Sequence, residues 1–274
     1  MARLSLFAML VLSAISAGAA EHVLPVFALN VEGVGGSLWN SEVMVTNRGP
    51  VAIVVHERSL IGWTSGGVPC LPIVQPFLTV EPHSTKVWSS GELALGLGCP
   101  ESAAGALSFF SESDVVIRSR IVNTHDSEVP VGPLRGFGQE VDAVDVASLP
   151  NGTLMLPGVS WHPNACGPTA FDTNVFFANP GQVAVRVSID LEEGTGDFLV
   201  VDGEAQPTPF ELTIGPGVFR QLRISGSDTP LAVCLPPIVA SFLLETDGKL
   251  TIVASVVDRS TGDARTVAPI AAQP

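Results

Sequence analysis

Ser41-Glu42-Val43-Met44-Val45-Thr46-Asn47 and, 132 residues further on, Thr173-Asn174-Val175-Phe176-Phe177-Ala178-Asn179 are two versions of one pattern. Each ends in an Asn followed by a turn, Arg48-Gly49-Pro50 in the first and Pro180-Gly181 in the second. Working outward, Leu78-Thr79-Val80-Glu81-Pro82 matches Leu212-Thr213-Ile214-Gly215-Pro216 at an offset of 134. Ser108-Phe109-Phe110-Ser111-Glu112 matches Ser241-Phe242-Leu243-Leu244-Glu245 at 133, and Ile121-Val122-Asn123 matches Val256-Val257-Asp258 at 135. Matches in one order with a small drift in offset imply a duplicated unit. The expected domains are 21–148 and 152–274, joined at 149–151 within the Pro/Gly-rich Leu149-Pro150-Asn151-Gly152.

Both copies alternate at the strand period. Val183, Val185, Val187, Ile189 and Leu191 are interleaved with Ala184, Arg186, Ser188 and Asp190, which sends one row inward and the other outward. Leu250, Ile252, Ala254 and Val256 do the same, as do Val115, Ile117, Ser119 and Ile121. Turn signals such as Glu193-Gly194-Thr195-Gly196 and Thr246-Asp247-Gly248 separate the runs. Beyond the N-terminal twenty residues no helical stripe is legible. The expected fold is all-β: two tandem antiparallel β-sandwich domains of immunoglobulin-like topology, with a jelly roll as the alternative strand order.

Composition limits the functions. The 274 residues carry 13 Lys+Arg against 27 Asp+Glu, a net charge of −14, and 46% are apolar. That much apolar surface is wrong for a disordered acidic tail, and so few bases argue against nucleic acid as a partner. Met1-Ala2-Arg3, the apolar run from Leu4 to Ile15, and the small residues Ala17-Gly18-Ala19-Ala20 predict a signal peptide over 1–20. Its removal leaves 12 bases against 27 acids, a charge of −15, on a secreted or periplasmic protein. Two uncharged stretches, 146–171 and 229–244, are interrupted by Pro150, Pro157, Pro163 and Pro168 and by Pro230, Pro236 and Pro237, so no membrane insertion is expected after export.

In an oxidising destination four cysteines default to disulfides. Cys99 and Cys234 occupy matching places, and the expected bridges are Cys70–Cys99 and Cys166–Cys234, one within each domain. Catalytic, metal and cofactor constellations are not found. The five His residues share no spacing, and Gly158-Val159-Ser160-Trp161-His162 lacks the second glycine of a nucleophile elbow. Asp172-Thr173 reads as the opening of a strand rather than a protease turn. Glu192-Glu193 point to opposite strand faces, which suits a turn edge better than an acid/base pair. Gly33-Val34-Gly35-Gly36 has neither the helix nor the Lys of a phosphate loop, and the acidic turn Asp258–Asp263 lacks the spacing of a calcium loop. Arg118 and Arg120, on an outward row, are expected to neutralise nearby acids. Trp39 and Trp161 both lie shortly before the first matched strand of their copies and are the candidate ligand contacts, as stacking platforms for sugar rings, against core packing as the default.

Asp172-Thr173-Asn174-Val175 with Asn179-Pro180, and Ala254-Ser255-Val256-Val257-Asp258 with Thr261-Gly262-Asp263, resemble the repeated strands of secreted bacterial proteins with tandem immunoglobulin-like domains. The resemblance implies an exported, non-catalytic module and carries over no functional residue. The expected function is therefore a surface, adhesion or structural interaction module whose partner is a protein or glycan at the cell surface. The alternatives are a carbohydrate or small-ligand binder and, behind it, a hydrolase.

Overall fold

The structure, a computed structural model, describes residues 20–32, 38–64, 70, 77–99, 101–113, 115–123, 138–161, 171–191, 198–225, 238–258 and 264–272. The first half of the chain forms β1 (Ala20–Leu29), β2 (Val31–Glu32), β3 (Leu38–Asn47), β4 (Ile53–Thr64), β5 (Phe77–Val80), β6 (Ser84–Ser89), α1 (Ser90–Leu97), β7 (Ala103–Ser111), β8 (Val115–Asn123), β9 (Gly138–Asp142) and β10 (Val144–Asp145). After a 3-10 turn at Val146–Ser148 come β11 (Gly152–Trp161), β12 (Phe171–Ala178), β13 (Val185–Leu191), β14 (Phe198–Val201), β15 (Glu204–Pro207), β16 (Phe210–Ile214), β17 (Phe219–Ile224), β18 (Ile238–Thr246), β19 (Thr251–Asp258), β20 (Ala264–Val267) and β21 (Ile270–Ala271). The all-β expectation holds, in antiparallel sheets arranged like a sandwich.

Strands of the two halves do not mix within a sheet. The first sheet of the N-terminal half runs β10-β1-β7-β4-β5, and that of the C-terminal half β21-β11-β18-β13-β16. The second sheets share the orders β6-β3-β8-β9 and β17-β12-β19-β20, with β2 added to the start of β3 and the β14–β15 hairpin beyond β17. The pairing also fixes which residues correspond. Leu24 faces Leu107 and Leu156 faces Phe242, so β7 and β18 correspond at an offset of 135 rather than 133. A slip of two residues leaves the same side chains facing inward, so alternation alone cannot detect it.

Several local devices recur. Pro25 and Pro157 sit where the ladders of β1 and β11 slip, between Leu24 and Phe27 and between Leu156 and Val159, because a residue without an N–H cannot keep the register. The Ala28 amide donates to Ser41 Oγ at 2.9 Å, and the Ser160 amide to Thr173 Oγ1 at 3.1 Å, tying the two sheets of each half together. Buried Asn47 donates from Nδ2 to the Val51 and Val80 carbonyls at 2.7 and 3.1 Å and accepts from the Gly49 amide at 2.8 Å. Asn179 repeats this with Val183, Ile214 and Gly181 at 2.8, 3.0 and 2.9 Å. Only a carboxamide supplies both donors and an acceptor at one corner, which is why both copies end the strand in Asn.

Two expectations need correction. Helix α1 carries no legible apolar stripe, yet it forms because Ser89 and Glu92 close a capping box and Gly98 ends it at a φ of 62°. The strand order also departs from the immunoglobulin one. There the sixth and seventh strands are neighbours in one sheet, whereas here β7 is followed by β8 in the other sheet, beside β3, and β18 is likewise followed by β19, beside β12. So short a connection suits a hairpin or a crossing equally, and the sequence pattern does not choose between them.

Each half encloses its own core. Phe27, Leu107, Phe109, Val43 and Ile117 are among the residues of the first, and Phe177, Phe242, Leu156, Ile189 and Ile252 among those of the second. Between them, Val23, Ile61 and Ala106, on the outer face of the N-terminal first sheet, meet Ala178 and Phe219 on the outer face of the C-terminal second sheet. Phe176, stacked on Phe219, and Val253 extend this contact into the N-terminal core. Lys249 Nζ donates to the Ala147 carbonyl at 2.6 Å and Thr266 Oγ1 to the Glu140 carbonyl at 2.9 Å across the same boundary. The four sheets are thus stacked in layers: N-terminal second, N-terminal first, C-terminal second, C-terminal first. Leu149, expected in a linker, is buried.

Candidate functional surface

Among the expected bridges, Cys70–Cys99 is formed, joining residues 29 apart and packing against the N-terminal core. Cys99 is placed by the end of α1, where its amide donates to the Ala94 carbonyl at 2.8 Å. Cys166 and Cys234 lie outside the described residues, as do Glu192, Glu193 and His162. Trp161 is 4% exposed and packs against Phe242 with ring centroids 5.9 Å apart. Indole burial in a core is the commoner use of a large apolar side chain, and it applies here. Trp39 is half-buried and also packs against the N-terminal core.

The charged residues singled out in the sequence are engaged locally. Asp172 opens β12 and is buried, with Oδ2 3.1 Å from an Nη of Arg223. Arg118 lies 2.5 Å from Asp142 and 3.6 Å from Glu140 on β9, and the hydrogen bond to Asp142 raises its pKa above the ordinary value. Among the described residues no three His, Cys, Asp or Glu side chains are grouped as a metal site, and no helix is long and apolar enough to cross a membrane.

One carboxyl is inside. Glu57 on β4 faces Phe109 on the inner side of the N-terminal first sheet and is fully buried; neither carboxyl oxygen has a hydrogen-bond partner among the described residues. Desolvation pushes its pKa up from 4.5 to about 8, so at neutral pH it is largely the uncharged acid. Its counterpart in the other half is Ile189, also buried, on β13. Ser119, another buried polar residue without a partner for its hydroxyl, stands where the C-terminal half has Ala254.

The exposed feature with the most binding character was missed in the sequence. On the outer face of the N-terminal first sheet, His56 of β4 stands between Phe77 of β5 and Phe110 of β7. The His56 and Phe77 ring centroids are 6.2 Å apart, and the Arg58 guanidinium lies 4.4 Å from the centre of the Phe110 ring. Phe77 is 61% exposed. At the corresponding pairing positions the C-terminal half has Glu211, Ser188 and Glu245; Arg58 is the extra residue of a bulge in β4 between Glu57 and Ser59, and Asp190 stands in the place of Ser59. One sheet end thus offers aromatic faces and a cation, and its duplicate offers carboxylates. The outward half of the β4 alternation was visible in the sequence, but only pairing shows that three separated aromatic residues form one row.

Compared with protein-family models, with curated proteins and with solved structures, the chain finds no match in any of the three.

Proposed function

We propose that the protein is an exported, non-catalytic interaction module: two tandem β-sandwich domains, 21–148 and 152–274, released after removal of residues 1–20, that engage a protein or glycan surface in the cell envelope or outside the cell. The observation that carries this reading is the row Phe77, His56, Phe110 and Arg58. Rigid aromatic side chains and Arg, held on strands and open to water, are the residue types that dominate binding energy at interfaces. They fill a position where the duplicated sheet carries acids, so the row is not a requirement of the fold. The Cys70–Cys99 bridge suits an oxidising compartment, and doubling of a strand framework suits a chain that acts by presenting surfaces.

The test has two arms. Mass spectrometry of the exported chain is expected to give an N-terminus at Glu21 and an oxidised Cys70–Cys99 peptide. Labelled full chain applied to intact producing cells is expected to bind saturably, with roughly tenfold weaker retention for Phe77→Ala combined with Arg58→Ala. Retention unchanged in that variant would overturn the assignment of the row, and a chain that stays in the cytoplasm would overturn the export. A saturable glycan-array signal would identify the partner as carbohydrate.

A further inference from the structure

The layered stack has two uncovered ends, and the duplication shows what one of them accepts. Within the chain, the outer face of the N-terminal first sheet is covered around Val23, Ala106 and Ile61 by Ala178, Phe219, Phe176 and Val253 of the following half's second sheet. Among the described residues the C-terminal first sheet has no such cover. By pairing, Met155 corresponds to Val23, Leu243 to Ser108, Ser241 to Ala106 and Val239 to Ala104. Val239 is 63% exposed, and Ile270, which faces Met155 from β21, is 49% exposed. Met155 and Leu243 therefore stand half-buried where the sister sheet buries Val23 and Ser108, with Val239 and Ile270 exposed beside them; Asp190 faces Leu243, and Glu211 and Glu245 lie further along the sheet.

At the opposite end of the stack lies the outer face of the N-terminal second sheet, the counterpart of the surface that does the covering. Met44, Thr46 and Thr85 stand there for Phe176, Ala178 and Phe219, and Val87, 55% exposed, stands for Gln221. Arg118 replaces Val253, its charge met by Asp142 and Glu140. We propose that the C-terminal first sheet docks the N-terminal second sheet of another copy of this chain, extending between chains the contact already made within one. This deepens the interaction-module reading and rests on it. Such a contact joins two different surfaces, so it builds open stacks rather than a closed dimer. The net charge of −14 opposes it, so screening by salt favours it.

Sedimentation velocity of the full chain at rising concentration, in low and in physiological salt, tests this. The expected result is a mass-average that climbs past two chains without a plateau and climbs further in salt. Leu243→Glu or Val239→Glu at one end, and Val87→Glu at the other, are each expected to leave monomers. An equimolar mixture of Val239→Glu and Val87→Glu, each with one intact end, is expected to stop at a 1:1 pair. A monomer at all concentrations, or a closed dimer indifferent to Val87→Glu, overturns the proposal. Circular dichroism matching the parent chain confirms that each variant is folded. Export and cell retention are unaffected by these outcomes, so failure of the stack and failure of the module reading are separately visible.

Discussion

The two halves share one strand order and one pair of Asn corners, yet they differ at two matched places. Inside, Glu57 occupies the position of Ile189; outside, Phe77, His56 and Phe110 occupy those of Glu211, Ser188 and Glu245. The N-terminal copy has thus put a carboxyl in its core and aromatic rings on its surface, and the C-terminal copy has done the reverse. Framework positions were held by backbone geometry that tolerates one residue type. Positions whose side chain faces only its own neighbours were free to diverge, and function is sought among those.

The comparison breaks most readily at Glu57. Its folded pKa of about 8 exceeds the ordinary 4.5, so between these values the folded chain holds a proton that the unfolded chain has lost. Stability therefore falls as pH rises through that window, by about 1.4 kcal/mol per pH unit and by on the order of 5 kcal/mol in all. Glu57→Ile, copying the other half, is expected to flatten the slope and to stabilise the chain at pH 8; urea unfolding across pH measures both. An unchanged slope in Glu57→Ile would show that this carboxyl is not the group responsible.

The Cys70–Cys99 bridge of the N-terminal half comes next. Cys70→Ser frees a connection between residues 29 apart and is expected to cost about 3.5 kcal/mol, read from the shift in the unfolding midpoint. The corners test the likeness rather than the difference. Asn47→Ala strands three carbonyls and an amide and Asn179→Ala two carbonyls and an amide, and each is expected to cost about 2–3 kcal/mol by urea unfolding, with the two values close together. A corner whose loss costs nothing would show that the equivalence is one of shape and not of energy. The smallest effect belongs to the aromatic row. Phe77→Ala is expected to change stability by less than about 0.5 kcal/mol, because most of that ring is already in water.

Much of the framework was legible. The pairs Val43 with Val175 and Ile121 with Val256 were aligned from sequence as the ladders align them, because period-two alternation and an Asn-turn ending are local properties. The β7 and β18 match was legible only to within two residues, since both registers bury the same face. Helix α1 had a signal, Ser89 and Glu92 three apart, but no stripe to announce it. The candidate surface was legible least. Its residues come from β4, β5 and β7, and no spacing along the chain links Phe77 to Phe110 until His56 is placed between them.

By itself the sequence determined the strand class and the Cys70–Cys99 pairing, because alternation, turn residues and closely spaced cysteines act over short stretches of chain. The tertiary structure decided which strand lies beside which, that Glu57 faces inward, and that Val23, Ile61 and Ala106 on the outer face of one sheet meet Ala178 of the following half. Those outcomes depend on contacts between residues far apart in the chain, where equal local patterns are compatible with different neighbours.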